Sequence, residues 1–209
     1  MIEAVIWDID GTLVDSEPLH LAALQTVCAR YRVNISDLPD NHFVGVNLYG
    51  VWEALHERFP SDLTVANWVD ELNAVYASGA GKLLPLPGAL TVIRSLAIRG
   101  VRQAAVSNSN RVVVDANLLS LGIACLLEFS LSLDDVAIGK PDPEPYLCAL
   151  DRLGLHPIQA LAVEDSRTGV CSAKAAGMKV LGLGTHDLRA DQQIAGLAEI
   201  LSLFEAAKA

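Results

Sequence analysis

Residues Ala4-Val5-Ile6-Trp7-Asp8-Ile9-Asp10-Gly11-Thr12 begin as an apolar run and end in a polar cluster. Four apolar residues in succession, with no polar alternation, suit a strand buried on both faces, as in a parallel sheet covered by helices. Such a strand delivers Asp8 and Asp10 to its C-terminal end, where Gly11 permits a turn. Two carboxylates so placed can bind a hard cation, or divide into nucleophile and general acid. The same cluster could instead be an Asx-type turn that only ends the strand.

Working outward, the pattern repeats. Arg102 to Val106 ends at Ser107-Asn108-Ser109-Asn110, Ala160 to Val163 ends at Glu164-Asp165-Ser166, and Lys179 to Leu183 ends near Gly184. Between these runs lie helical patterns. Ala89 to Ile98 stops at Gly100, a segment opened by Asp142-Pro143 runs to Leu153 before Gly154, and Thr168 to Ala176 stops at Gly177. Strands alternating with helices predict an α/β fold with a three-layer α/β/α, Rossmann-like core and a parallel sheet. Ligands in such folds bind beyond the carboxyl ends of the strands, so the polar clusters are expected to share one site. The alternation breaks from Ser16 to Pro85, where Leu19 to Tyr31, Tyr49 to Phe59 and Ala66 to Ser78 read as helices with no strand between them. The expected organisation is therefore a core from residues 1–15 and 86–209, and a helical cap from 16–85.

The 209-residue chain is 52% hydrophobic but only 5% aromatic, so aliphatic side chains fill its core. Its net charge of −10 argues against nucleic acid or an anionic membrane as partner. It also means that an anionic ligand must meet a local positive charge. No basic leader opens the sequence and no apolar run approaches the ~18 residues of a membrane span. The four scattered cysteines read as buried free thiols of a reducing compartment, and a cytoplasmic protein, monomeric or a small homo-oligomer, is expected.

Taken singly, the remaining clusters are ambiguous. Ser107-Asn108 offers a hydroxyl and backbone N–H groups, as many strand ends do. Lys140, in Gly139-Lys140-Pro141-Asp142-Pro143, could aim a charge inward from a stiff backbone or be a solvated lysine. Glu164-Asp165 could ligate a hard cation or cap a helix. In this order and spacing, however, Asp8-x-Asp10-Gly11-Thr12, Ser107, Lys140-Pro141 and Glu164-Asp165 resemble the four motifs of the haloacid dehalogenase superfamily. The helical insertion resembles its subclass with a helical cap. The resemblance spans essentially the whole chain and, with Asp15-Ser16-Glu17, Gly45-Val46 and Thr168-Gly169-Val170, extends to the phosphoglycolate phosphatase, sugar phosphatase and β-phosphoglucomutase-like group.

The resemblance implies an Mg²⁺-dependent phosphohydrolase acting on a small phosphorylated metabolite, a sugar or sugar-acid phosphate. Asp8 would attack phosphorus and carry an aspartyl-phosphate. Asp10 would be the acid for the leaving group and then the base for water, its backbone carbonyl also ligating the metal. Asp8 and Asp165, with or without Glu164, would complete the protein's share of the metal shell. Ser107 and Asn108 would hold phosphoryl oxygens with help from Thr12, and Lys140 would bridge Asp8 and the phosphate, keeping Asp8 ionised. Asp10 must start protonated, which desolvation under a closed cap would favour. His20 on the first cap helix would position the acid/base, unless it is an ordinary half-exposed histidine. Asn47, beside Gly45-Val46, is a candidate substrate contact. Trp52, Trp68 and Tyr49 read as cap core, and His42, His56, His156 and His186 have no ligand spacing. A phosphomutase is the second reading, disfavoured by Thr12. A dehalogenase is disfavoured by Asp10, and a non-catalytic phosphometabolite-binding protein by the intact carboxylate set.

Overall fold

The computed structural model describes residues 2–185 and 187–204; His186 lies outside the described residues. In chain order the elements are β1 (Ala4–Trp7), β2 (Val14–Asp15), α1 (Glu17–Arg30), α2 (Leu48–Leu55), α3 (Val65–Gly79), β3 (Leu84–Pro85), α4 (Ala89–Ile98), β4 (Arg102–Val106), α5 (Arg111–Leu121), β5 (Ser130–Leu131), α6 (Glu144–Leu153), β6 (Ala160–Glu164), α7 (Arg167–Ala175), β7 (Lys179–Leu183), β8 (Gln192–Ile194) and α8 (Ile200–Leu203). Six strands form one parallel sheet in the order β5-β4-β1-β6-β7-β8. This is the expected Rossmann-like α/β architecture.

Successive residues of a strand face opposite sides of the sheet, and the two faces build two cores. Val5 and Trp7, with Ala105, Leu161 and Val163, pack against Val92, Ile93 and Leu96 of α4 and Val113 and Val114 of α5. Ala4 and Ile6, with Ala104, Val106, Ala160 and Ala162, pack against Tyr146 and Leu150 of α6 and Val170 and Ala173 of α7. Trp7 bonds in the core through its indole N–H to Gln103 Oε1 at 3.0 Å, and Gln103 in turn donates to the Ile93 carbonyl at 3.0 Å. This satisfies two buried polar groups that would otherwise be costly.

The register places the site. Trp7 pairs with Ala105 on one side and Val163 on the other. Because β1 lies between β4 and β6, the residues that follow these three strands emerge side by side at one edge.

Helices α1, α2 and α3 lie between β2 and β3, which pair antiparallel through Val14–Pro85 and Asp15–Leu84. The chain thus leaves the sheet and returns to it at adjacent points. The helices hold together through an aromatic cluster in which Trp52 lies 5.3 Å from Trp68 and 5.8 Å from Phe59. Trp68 is fully buried, whereas Tyr49 is exposed rather than part of this core. Contact with the core runs through α3, where the Tyr76 hydroxyl donates to Asn117 Oδ1 on α5 at 2.7 Å.

Several boundaries differ from the sequence reading. The segment opened by Asp142-Pro143 becomes helical at Glu144, with Asp142 Oδ1 accepting from the Glu144 N–H at 2.9 Å. The second cap helix ends at Leu55 and continues as a short 3₁₀ turn, His56–Arg58. The cysteines are free, but only Cys28 is buried; Cys125 and Cys171 are exposed. Among the described residues no helix is long and apolar enough to cross a membrane.

Candidate active site

Lys140 is the hub of the site. Its ammonium donates to Asp8 Oδ1 at 2.7 Å, to Glu164 Oε1 at 2.6 Å and to the Val106 carbonyl at 2.8 Å, with its side chain only 3% exposed. Three partners exhaust the three donors of an ammonium. Burial disfavours its charge, yet Asp8 and Glu164 outweigh that and raise its pKa above the usual lysine value. The loop is clamped from behind: Asn108 accepts from the Lys140 N–H at 2.7 Å and donates to the Lys140 carbonyl at 2.9 Å. Glu164 is fully buried and also accepts from the Tyr146 hydroxyl at 2.6 Å and the Ser166 hydroxyl at 3.3 Å. A Cβ at Gly169 would strike the Glu164 carboxylate, so that glycine provides room for it.

Asp10 belongs to a second network. Its Oδ2 accepts from the hydroxyls of Ser107 at 3.0 Å and Ser109 at 2.9 Å. Its Oδ1 accepts from Asn117 at 2.9 Å and lies 3.6 Å from His20 Nε2. The His20 ring is held against Tyr76, centroids 4.4 Å apart. Burial raises the Asp10 pKa, but the hydrogen bond and charge of His20, with the Ser109 hydroxyl, win and hold it below the ordinary carboxyl value. The cap is in contact with Asp10 here, and its residue His20 lowers the pKa. Burial acts on Asp10 in the direction expected from desolvation but is outweighed.

Asp8 Oδ2 is buried and has no hydrogen-bond partner. One carboxylate oxygen from each of Asp8, Glu164 and Asp165 lies within 4.8 Å of the others. Burial raises the Asp8 pKa well above the usual carboxyl value, with Glu164 and Asp165 adding to it against Lys140. Burial and Glu164 likewise push Asp165 up to about 7. Lys140 thus pulls Asp8 in the expected direction but is outweighed. Crowded carboxylates and an orphaned oxygen suit a hard divalent cation, which takes oxygen ligands. Gly11 lets Asp165 approach, since a Cβ there would overlap its carboxylate.

The other sequence candidates fall as follows. Thr12 is fully buried and donates to Asp165 Oδ1 at 3.4 Å, so its side chain supports that carboxylate rather than a phosphate oxygen. The Asn108 side chain is spent on the Lys140 backbone. The Asn47 side chain caps α2, accepting from the Gly50 N–H at 2.9 Å, although the residue also borders the cavity. Ser109, Asn117, Tyr76 and Tyr146 hold the site together without having been singled out. Ser109 lies in a cluster visible in the sequence; the other three sit within helical stretches and show no signal there.

A parallel α/β core with a carboxylate at the end of its central strand, a buried lysine bridge and an acidic cluster defines a class of hydrolase. The chain belongs to the haloacid dehalogenase-like hydrolase family, whose description matches residues 5–183. It is 34% identical to a validoxylamine A 7'-phosphate phosphatase of Streptomyces hygroscopicus subsp. limoneus, over 91% of this chain and 90% of that protein. It is 33% identical to a phosphoglycolate phosphatase of Rhodospirillum rubrum, over 87% of this chain and 79% of that one. In fold it matches a crystal structure of CbbY from Rhodobacter sphaeroides in complex with xylulose-(1,5)bisphosphate, with a TM-score of 0.87, 24% identity and coverage of 95% and 96%.

Proposed function

We propose that the protein is an Mg²⁺-dependent phosphatase of small phosphorylated metabolites, with Asp8 as nucleophile. The carrying observation is the buried Lys140 bridge to Asp8 beside the orphaned Asp8 oxygen. Phosphatases among the relatives support the reaction class. In this account Asp8, Asp165 and the Asp10 carbonyl would hold Mg²⁺, which when bound would neutralise charge on the phosphate and the carboxylates. Glu164, whose oxygens already receive Lys140, Tyr146 and Ser166, is a positioning residue for Lys140. Residues 16–85 serve as the cap.

Asp8 attacks phosphorus, the bond to the leaving oxygen breaks, and an aspartyl-phosphate forms. Water then attacks that phosphorus, restoring Asp8 and releasing inorganic phosphate. Asp10, held as an anion by His20 and its hydroxyl donors, is ready to deprotonate the water. It takes the proton needed by the leaving oxygen from solvent or from a monoanionic substrate phosphate, whose negative charge raises the carboxyl pKa, passes it to that oxygen as the bond to phosphorus breaks, and as an anion again accepts a proton from the attacking water. The phosphoryl group is met by backbone N–H groups after β4, while Lys140, its three donors engaged, offsets the charge of Asp8 from behind.

Phosphate release from p-nitrophenyl phosphate, with Mg²⁺ and after EDTA, tests the reading. Activity should vanish in EDTA and return with Mg²⁺. Full activity in metal-free buffer, or none with Mg²⁺, contradicts it.

A further inference from the structure

Between the strand ends and the cap lies a cavity of about 1110 Å³. Its cap wall, drawn from α1, α3 and the loop before α2, is lopsided in charge. Among the described residues that wall contains no lysine and no arginine; its carboxylates are Glu17 and Asp40, and its histidine, His20, faces Asp10. Glu17 is itself half-buried and tied to the loop, accepting from the Gly45 N–H at 3.4 Å. On the core side, Lys140 is occupied between Asp8 and Glu164.

Asn73 is the second observation. It lines the cavity, is only 6% exposed, and its Oδ1 has no hydrogen-bond partner. It stands one helical turn from Tyr76 on the same face of α3, beside the network that holds Asp10. A buried amide oxygen without a donor is unfavourable, and here it borders space that a ligand can fill.

We propose that this cavity selects phosphate monoesters whose leaving group is rich in hydroxyl or ammonium donors and carries no second anion. Polyol and amino-polyol monophosphates are preferred over sugar-acid phosphates and bisphosphates. This inference rests on the phosphatase reading and narrows it. Hydroxyl or ammonium groups would donate to Asn73 Oδ1 and the Glu17 and Asp40 carboxylates. A carboxylate or second phosphate would face the same oxygens with no cation from the cap to offset it, and like charges repel. The rival anion site is Arg167 on the core rim, which is exposed and donates to the Asp187 carbonyl at 3.3 Å.

Four esters sharing a hexose 6-phosphate provide the test: glucose 6-phosphate, glucosamine 6-phosphate, 6-phosphogluconate and glucose 1,6-bisphosphate. Each competes at millimolar concentration against p-nitrophenyl phosphate with Mg²⁺. The neutral and amino esters should have inhibition constants about tenfold or more below the acid and the bisphosphate. Asn73→Asp, close in size, should widen the gap between amine and acid further; this ratio is insensitive to a uniform loss of activity. If that variant does not fold, the ranking on the unmodified enzyme decides. Acid or bisphosphate binding as tightly as glucose 6-phosphate overturns the inference, as does a gap unchanged in folded Asn73→Asp or no competition by any of the four. Tight bisphosphate binding that Arg167→Ala abolishes would overturn it in favour of Arg167. Absence of p-nitrophenyl phosphate hydrolysis defeats the phosphatase reading itself, whereas hydrolysis with the reversed ranking defeats this inference alone.

Discussion

The Asp10 carboxylate has four polar neighbours, and two of its contacts come from serine hydroxyls that can reverse their role from donor to acceptor. Asp10→Asn should therefore fold, with its amide turned toward Ser107 and Ser109, but it can neither protonate a leaving oxygen nor deprotonate water. An aryl leaving group needs less protonation than an alkyl one, so kcat/KM should fall much further for an alkyl phosphate than for p-nitrophenyl phosphate. Equal losses would show that Asp10 acts through the metal or the fold instead. Gly169 is under a different constraint. A methyl there meets the buried Glu164 carboxylate that orients Lys140. Gly169→Ala should cost about 1–3 kcal/mol by overpacking and lower activity as Lys140 shifts; wild-type Tm and turnover would mean that Glu164 has room to move.

At the scale of elements, the eight-residue α2 is too short to persist alone. Its N-terminus is closed by Asn47, and losing such a cap costs about 1 kcal/mol. Asn47→Ala should speed hydrogen exchange at the first amides of α2 several-fold, and unchanged exchange would return Asn47 to the role of a pure substrate contact. Which elements were legible follows from burial. β1, β4, β6 and β7 are interior strands, and the apolar residues that fill or follow the first positions of each mark them in the sequence. The sheet edges β5 and β8, the latter Gln192-Gln193-Ile194, need no such run and carried no signal. Helix α5 was obscured because it opens with three β-branched valines, Val112 to Val114, which disfavour helix in isolation. Residues that end an interior strand, such as Asp8, Ser107 and Asp165, could be read directly. Tyr76, Asn117 and Tyr146 reach the site from helix faces that only packing reveals.

For the whole molecule, the net charge of −10 and the anionic substrate class set opposing demands. Among the described residues the structure answers with one buried cation, Lys140, and a carboxylate cluster that calls for a second. Among the residues lining the cavity, the cations Lys140 and Arg167 lie on the core side, while the cap wall supplies acceptors. In the proposed function, the phosphoryl group is recognised by the core and the remainder of the substrate by the cap. All of this depends on Asp8 being the group that attacks phosphorus. The most direct measurement is phosphate release from p-nitrophenyl phosphate by purified Asp8→Asn beside the unmodified enzyme, both with Mg²⁺ and with folding confirmed by circular dichroism. The account predicts a folded protein with no turnover above background, because an amide is no nucleophile. A folded Asp8→Asn that retains a substantial share of wild-type activity would contradict covalent catalysis at Asp8.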